Sequence, residues 1–108
     1  MNEVSKSDWK LYRSKIAQWQ EDYMDSLVKE YIAMLQADED ASDKFWNLEK
    51  RINEDKRTPG VRIELSKRNM PFDLVHLIND GVISFADLAD FSQELQDDIK
   101  LIMERFCD

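Results

Sequence analysis

The sequence predicts an all-α fold, a compact multi-helix domain of about five to six helices with a long N-terminal helix, and three observations carry that expectation. Apolar residues recur every three or four positions over most of the 108-residue chain, the period of helices with one buried face. Only two Pro and two Gly occur, and all four (Pro59, Gly60, Pro71, Gly81) fall in one short stretch, so the chain on either side carries no backbone breaker. The one alternating run, Val61, Ile63 and Leu65 around Arg62 and Glu64, has no second strand signal to pair with.

Residues 1–6 are polar and are expected to be disordered. Ser7 is placed to cap the first helix, which runs to about Gln36, with Asp8 at the positive end of its dipole. Trp9, Tyr12, Ile16, Trp19 and Tyr23 form its stripe, and after Tyr23 the apolar arc widens through Met24, Leu27, Val28, Tyr31, Ile32, Met34 and Leu35. A wider arc implies deeper burial of the second half and leaves the first turns to project. The acidic run 37–41 then forms a loop, and Ser42 is expected to cap a helix whose apolar side is Phe45, Trp46, Leu48 and Ile52.

Thr58 and Pro59 suit the cap and first position of a further short helix over 59–65, since Pro loses nothing where its missing N–H would be unpaired. Pro71 opens the next helix, whose Phe72, Leu74, Val75, Leu77 and Ile78 mark it as the most central one. Gly81 is expected to end it in the left-handed conformation, with Val82 closing a Schellman cap onto Leu77. Ser84 begins the following helix, with Asp87 three residues on as in a capping box and Ile83 against Leu88. Ser92 is a second cap inside the last apolar pattern, so a short helix to about Phe91 and a longer one over 93–106 are expected, with one bent helix as the alternative.

At this length the chain is one domain, 1–108, large enough for a single core. One cysteine, Cys107, leaves no intramolecular disulfide to form, and no stretch has the apolar length of a signal peptide or a membrane span, so a cytoplasmic location is expected. Fifteen Lys and Arg against twenty-three Asp and Glu give a net charge of -8. The exception is 44–68, where eight basic side chains face four acidic ones, a net of +4. The global field repels nucleic acid, whereas the basic band could hold an acidic partner or simply form a solvated face.

Motifs that resemble chemistry are incomplete. N-D-G-V-I-S-F-A-D-L looks like the second half of an EF-hand loop, but its two earlier ligand positions fall on His76 and Ile78, a poor calcium ligand and an impossible one. A helix-turn-helix about Gly81 would bring F-A-D-L-A-D-F, with its carboxylates, to the phosphates. His76 lies one turn after Asp73, a spacing that twenty-three carboxylates produce by chance, and no P-loop, CxxC or G-x-S-x-G is present. Neither a catalytic residue nor a metal or cofactor site is therefore expected.

W-Q-E-D-Y-M-D-S-L-V-K-E-Y, D-A-S-D-K-F-W-N-L-E-K-R-I and L-I-N-D-G-V-I-S-F-A-D-L-A-D-F together make the chain resemble a group of short, acidic, uncharacterised proteins of Gram-positive bacteria, a resemblance that implies no activity or ligand. From the residues themselves, the expected function is that of a small interaction or regulatory module without catalysis. Trp9, Tyr12, Ile16 and Trp19 form its candidate contact surface, most simply in a homodimer, unless that strip packs on the chain's own C-terminal helix. The alternative is a nucleic-acid-associated regulator using Lys50, Arg51, Lys56, Arg57, Lys67 and Arg68.

Overall fold

The computed structural model describes residues 3–106, and among them every regular element is helical: α1 (Lys6–Gln36), α2 (Ala41–Asp55), α3 (Met70–Asn79) and α4 (Gln93–Phe106), with a single 3-10 turn over Phe85–Leu88. There are thus four α-helices rather than five or six. The missing helix is 59–65. There the Thr58 carbonyl accepts from the Val61 and Arg62 N–H groups, and the chain then runs without regular structure through Ser66. The alternation seen in the sequence is real, with Ile63 packed on the core and Leu65 turned outward, but nothing pairs with it.

The start of the chain is ordered further back than the sequence suggests. Val4 is buried in the core, and Ser5 rather than Ser7 caps α1 by accepting the Asp8 N–H at 3.1 Å. Asp8 is the one buried charged residue among those described, only 5% exposed, and its carboxylate accepts from the Ser92 N–H at 2.9 Å and the Ser92 hydroxyl at 2.5 Å. Ser92 Oγ also accepts from the Leu95 N–H at 3.2 Å, which makes it the cap of α4. One pair of side chains therefore fixes the starts of both the first and the last helix. The break expected near Phe91 is present.

The core forms around these two starts. Tyr12 and Ile16 from α1, Met70, Leu74 and Leu77 from α3, and Leu95, Ile99 and Ile102 from α4 enclose Leu88 and Phe91 of the connecting segment. The α3 end follows the sequence closely: Gly81 has φ 77°, its N–H donates to the Ile78 carbonyl, and the Val82 N–H donates to Leu77 at 2.9 Å. Those are the two bonds of a Schellman cap. At Ser84 the Asp87 carboxylate reaches back to the Ser84 N–H at 2.7 Å and holds the 3-10 turn.

A second close approach ties the 56–69 connection to α1. Gly60 is buried where an added Cβ would lie 2.7 Å from Tyr23 Cε2 and from Val82 Cγ2, and Gln20 donates to the Pro59 carbonyl at 2.9 Å. Beyond this point α1 leaves the core and is accompanied by α2 alone. The expected burial is therefore reversed: the first half of α1 is inside, and the wide apolar arc of the second half extends with α2 as a hairpin. α1 alone is about 46 Å long at 1.5 Å per residue, most of the 53 Å long dimension of the molecule. Cys107 lies outside the described residues.

Candidate functional site: the open face of the α1–α2 hairpin

A hairpin of two helices has no third element to cover it, and its residues show the consequence. Leu27 is the only buried side chain of α1 beyond Ile16, and α2 has none. The half-buried positions of α2, Lys44, Leu48, Arg51 and Asp55, recur at three and four and turn toward α1. One edge of the contact is polar. Tyr31 donates to Asp55 Oδ2 at 2.5 Å, Arg51 Nε donates to the same oxygen at 3.0 Å, and the other arm of Arg51 reaches Glu30 at 3.2 Å while its guanidinium lies 5.8 Å from the Tyr31 ring. Burial first, then the bond to Asp55, pushes the Tyr31 phenol up to about 12.

The other edge is apolar and open. Val28 and Ile32 are 50% and 49% exposed, Phe45 and Trp46 are 63% and 60% exposed, and Leu35 and Ile52 are also exposed. At 100° per residue Val28, Ile32 and Leu35 lie about 80–140° round α1 from Leu27, and Phe45 and Ile52 lie about 40–60° round α2 from Leu48, in the same rotational sense. Because the two helices run in opposite directions, equal senses of rotation bring both sets to one side of the hairpin. Trp46 continues the surface round the outer edge of α2 and meets Phe45 edge-on, ring centroids 4.9 Å apart.

Charge along the hairpin is acidic at the tip and mixed toward the core. The tip carries Asp38, Glu39, Asp40 and Asp43 and no basic residue over 37–43. The connection 56–68 carries five basic side chains and one acidic, a net of +4, while α1 beside Pro59 carries the acidic Glu21, Asp22 and Asp25. The hairpin is thus apolar along one side and acidic at its tip.

The aromatic strip singled out in the sequence lies elsewhere and inward. Tyr12 is fully buried, Ile16 nearly so, and Trp9 and Trp19 pack against the core, with Trp19 6.4 Å from Phe91. Tyr12 and Ile16 are thus core residues, with Trp9 and Trp19 partly buried against them, because the first half of α1 is the half that packs with α3 and α4. The basic residues are not gathered into one groove. Arg51 is committed to Asp55 and Glu30, Lys50, Lys56 and Arg57 are exposed along the end of α2, and Lys67 and Arg68 stand in the turn before α3.

Other candidates offer less. His76 is exposed, and burial raises the Asp73 carboxyl against the pull of His76. No three His, Cys, Asp or Glu among the described residues come together as metal ligands would. An open depression of about 540 Å³ lies between the first turns of α1 and residues 90–92, but its buried acid is Asp8, with both oxygens bonded to Ser92.

The hairpin face is not legible in the periodicity, because the width of an apolar arc does not measure its depth of burial. Phe45 and Trp46 held the missing signal: adjacent residues lie 100° apart, so one neighbouring helix cannot cover both. No protein-family model matches the chain, and no curated protein or solved structure matches it either. No described helix is long and apolar enough to cross a membrane.

Proposed function

We propose that the chain is a small protein-interaction module without catalysis, and that it acts through the open face of the α1–α2 hairpin. The observation that supports this is a set of exposed apolar side chains on one side of the hairpin, opposite a bonded polar edge. The exposed parts of Val28, Ile32, Leu35, Phe45 and Ile52 on that side amount to roughly 500 Å², toward the upper end of the largest patch on a typical monomer. Phe45 and Trp46 supply the large rigid rings that dominate interface energetics, and the Tyr31–Asp55–Arg51 edge holds the hairpin in shape before any partner arrives.

The test is capture from a cell extract on immobilised wild-type chain and on an Ile32→Glu/Phe45→Glu variant, read by mass spectrometry. The variant keeps the core, since neither residue belongs to it. Proteins held by the wild type and lost from the variant are expected; equal retention would refute the role of this face. The exposed side chains Lys50, Lys56, Arg57 and Arg68 support a second reading, nucleic-acid association through the basic band. Unchanged mobility of DNA and RNA probes at low salt removes it.

A further inference from the structure

The size of the open hairpin face and the charges along its margins point to one kind of occupant. We infer that it is a single amphipathic helix of another protein, about three turns long and carrying Lys or Arg on both flanks of its apolar side, which lies between α1 and α2 as the third helix of a bundle. This inference rests on the proposed role of the face and adds the chemistry of its partner.

Area sets the size of the occupant. Val28, Ile32, Leu35, Phe45 and Ile52 leave roughly 500 Å² open, whereas a standard interface between two folded proteins takes about 800 Å² from each. A helix laid in a groove needs less, because it meets the surface through a few anchors at i, i+3, i+4 and i+7. Val28 and Leu35 on one wall, and Phe45 and Ile52 on the other, are each seven positions apart, about 10 Å at 1.5 Å per residue. That length takes two turns of apolar contact, and a third turn brings the charged flanks of the helix over the ends.

Charge sets its composition. In the same rotational sense as the apolar residues, Glu21 and Asp25 lie about 120° and 160° round α1 from Leu27, and Glu49 and Lys56 about 100° and 80° round α2 from Leu48. All four are exposed. Carboxylates therefore outnumber amines three to one along the margins of this side, and Asp38, Glu39 and Asp40 close the tip. Lys29 holds Asp25 at 2.9 Å, but among the described residues no ion pair forms at Glu21 on the α1 margin or at Glu49 on the α2 margin. The guanidinium of Arg51 belongs to the opposite edge, held by Glu30 and Asp55. From Glu21 to Arg57 there are eleven acidic side chains and six basic, a net of -5.

A helix flanked by Lys or Arg sets a cation over each margin and lays its aliphatic stems along Ile32 and Phe45. A second copy of this chain, with its charge of -8 and the same acidic tip, is repelled. An anionic membrane surface is repelled in the same way.

Isothermal titration calorimetry of the full chain against three synthetic peptides of about 18 residues tests the inference. The first carries Leu at helical i, i+3, i+4 and i+7 positions with Lys on both flanks, the second has Glu in place of Lys, and the third is a scrambled form of the first. The Lys peptide is expected to bind with a Kd of about 10 µM at low salt, and the other two at least about tenfold more weakly. Ile32→Gln/Phe45→Gln, which leaves the net charge and the core unchanged, should weaken the Lys peptide by about tenfold or more. Glu21→Gln/Glu49→Gln should weaken it about fivefold at low salt and little at high salt. Glu94→Gln/Glu104→Gln removes the same charge from α4 and should leave the affinity as it is. Circular dichroism checks that each variant keeps its helices.

No binding of the Lys peptide up to about 1 mM overturns the inference. So do equal affinities for the Lys and Glu peptides or for the Lys and scrambled peptides, an Ile32→Gln/Phe45→Gln chain that binds as the wild type does, and equal losses from the α4 and hairpin charge variants. If the Glu peptide, a second copy or a phosphatidylglycerol vesicle binds the wild type and is lost from Ile32→Gln/Phe45→Gln, the basic helix falls and the interaction role of the face stands. If no peptide binds and Ile32→Glu/Phe45→Glu retains every protein that the wild type captures from extract, that role falls as well.

Discussion

Tyr12 offers a test whose sign runs against intuition. It is the largest fully buried side chain of α1, ringed by Trp9 at 6.0 Å and Trp19 at 6.5 Å, and its hydroxyl is the buried side-chain polar atom among the described residues that has no hydrogen-bond partner. An unsatisfied buried hydroxyl costs about 1–3 kcal/mol in desolvation, whereas the ring supplies the packing. Tyr12→Phe keeps the ring and removes the orphan, so it should stabilise the fold by about 1–2 kcal/mol, or roughly 4 °C or more in midpoint for a domain of this size. Burial, and next the charge of Asp73, also raise the phenol's pKa above its ordinary 10.0. A raised folded-state pKa means that its proton-linked stability is intact below pH 10 and declines as pH rises beyond it, so the advantage of Phe should widen in alkali. Urea unfolding of both chains at pH 7 and pH 10.5 measures this. A variant less stable than wild type by more than about 0.5 kcal/mol would show that the hydroxyl is satisfied and the reasoning wrong.

Three further perturbations probe the joints of the fold. Gly60→Ala pushes a methyl against the Tyr23 ring and Val82 and should cost about 1–3 kcal/mol; thermal unfolding reads it, and Tyr23→Leu in the same chain should recover part of the loss. Asp8→Ala leaves the Ser92 N–H and hydroxyl without their acceptor and should cost about 3 kcal/mol, with non-additivity toward Ser92→Ala of at least ~1 kcal/mol. Tyr31, pushed up to about 12 by burial and its bond to Asp55, gives the hairpin stability that is intact below pH 10 and lost between pH 10 and 12. Helical circular dichroism should therefore fall more steeply over that window in wild type than in Tyr31→Phe, and superimposable profiles would count against the Tyr31–Asp55 bond.

Where local chemistry decides the outcome, the fold was legible in the sequence. Gly81 with Val82 and Leu77, Ser84 with Asp87, and the break at Ser92 each follow from side chains within a few positions, and each is present. What failed depended on partners distant in sequence. Thr58 looked like a helix cap, but its hydroxyl instead donates to the Asp55 carbonyl at 2.8 Å and closes α2. Asp8 looked like a dipole-favoured carboxylate, yet it is held by a serine 84 positions away. The aromatic strip and the wide arc of α1 were exchanged for the same reason, since periodicity shows that a face is apolar and says nothing about whether another element lies over it.

That exchange separates stability from recognition along one helix. α1 enters the core with Tyr12 and Ile16 and leaves it after Gln20 and Tyr23, where Pro59 and Gly60 close against it. On the core side, substitutions of the apolar residues act on folding, because Trp9, Leu11, Tyr12, Ile16 and Trp19 pack in the cluster shared with α3, α4 and Phe91. On the hairpin side, Val28, Ile32, Phe45 and Ile52 are open to solvent and contribute little to the folded monomer. Apolar residues at such positions oppose solubility without a folding return, so their placement beside a bonded polar edge is what supports the proposed association through this face.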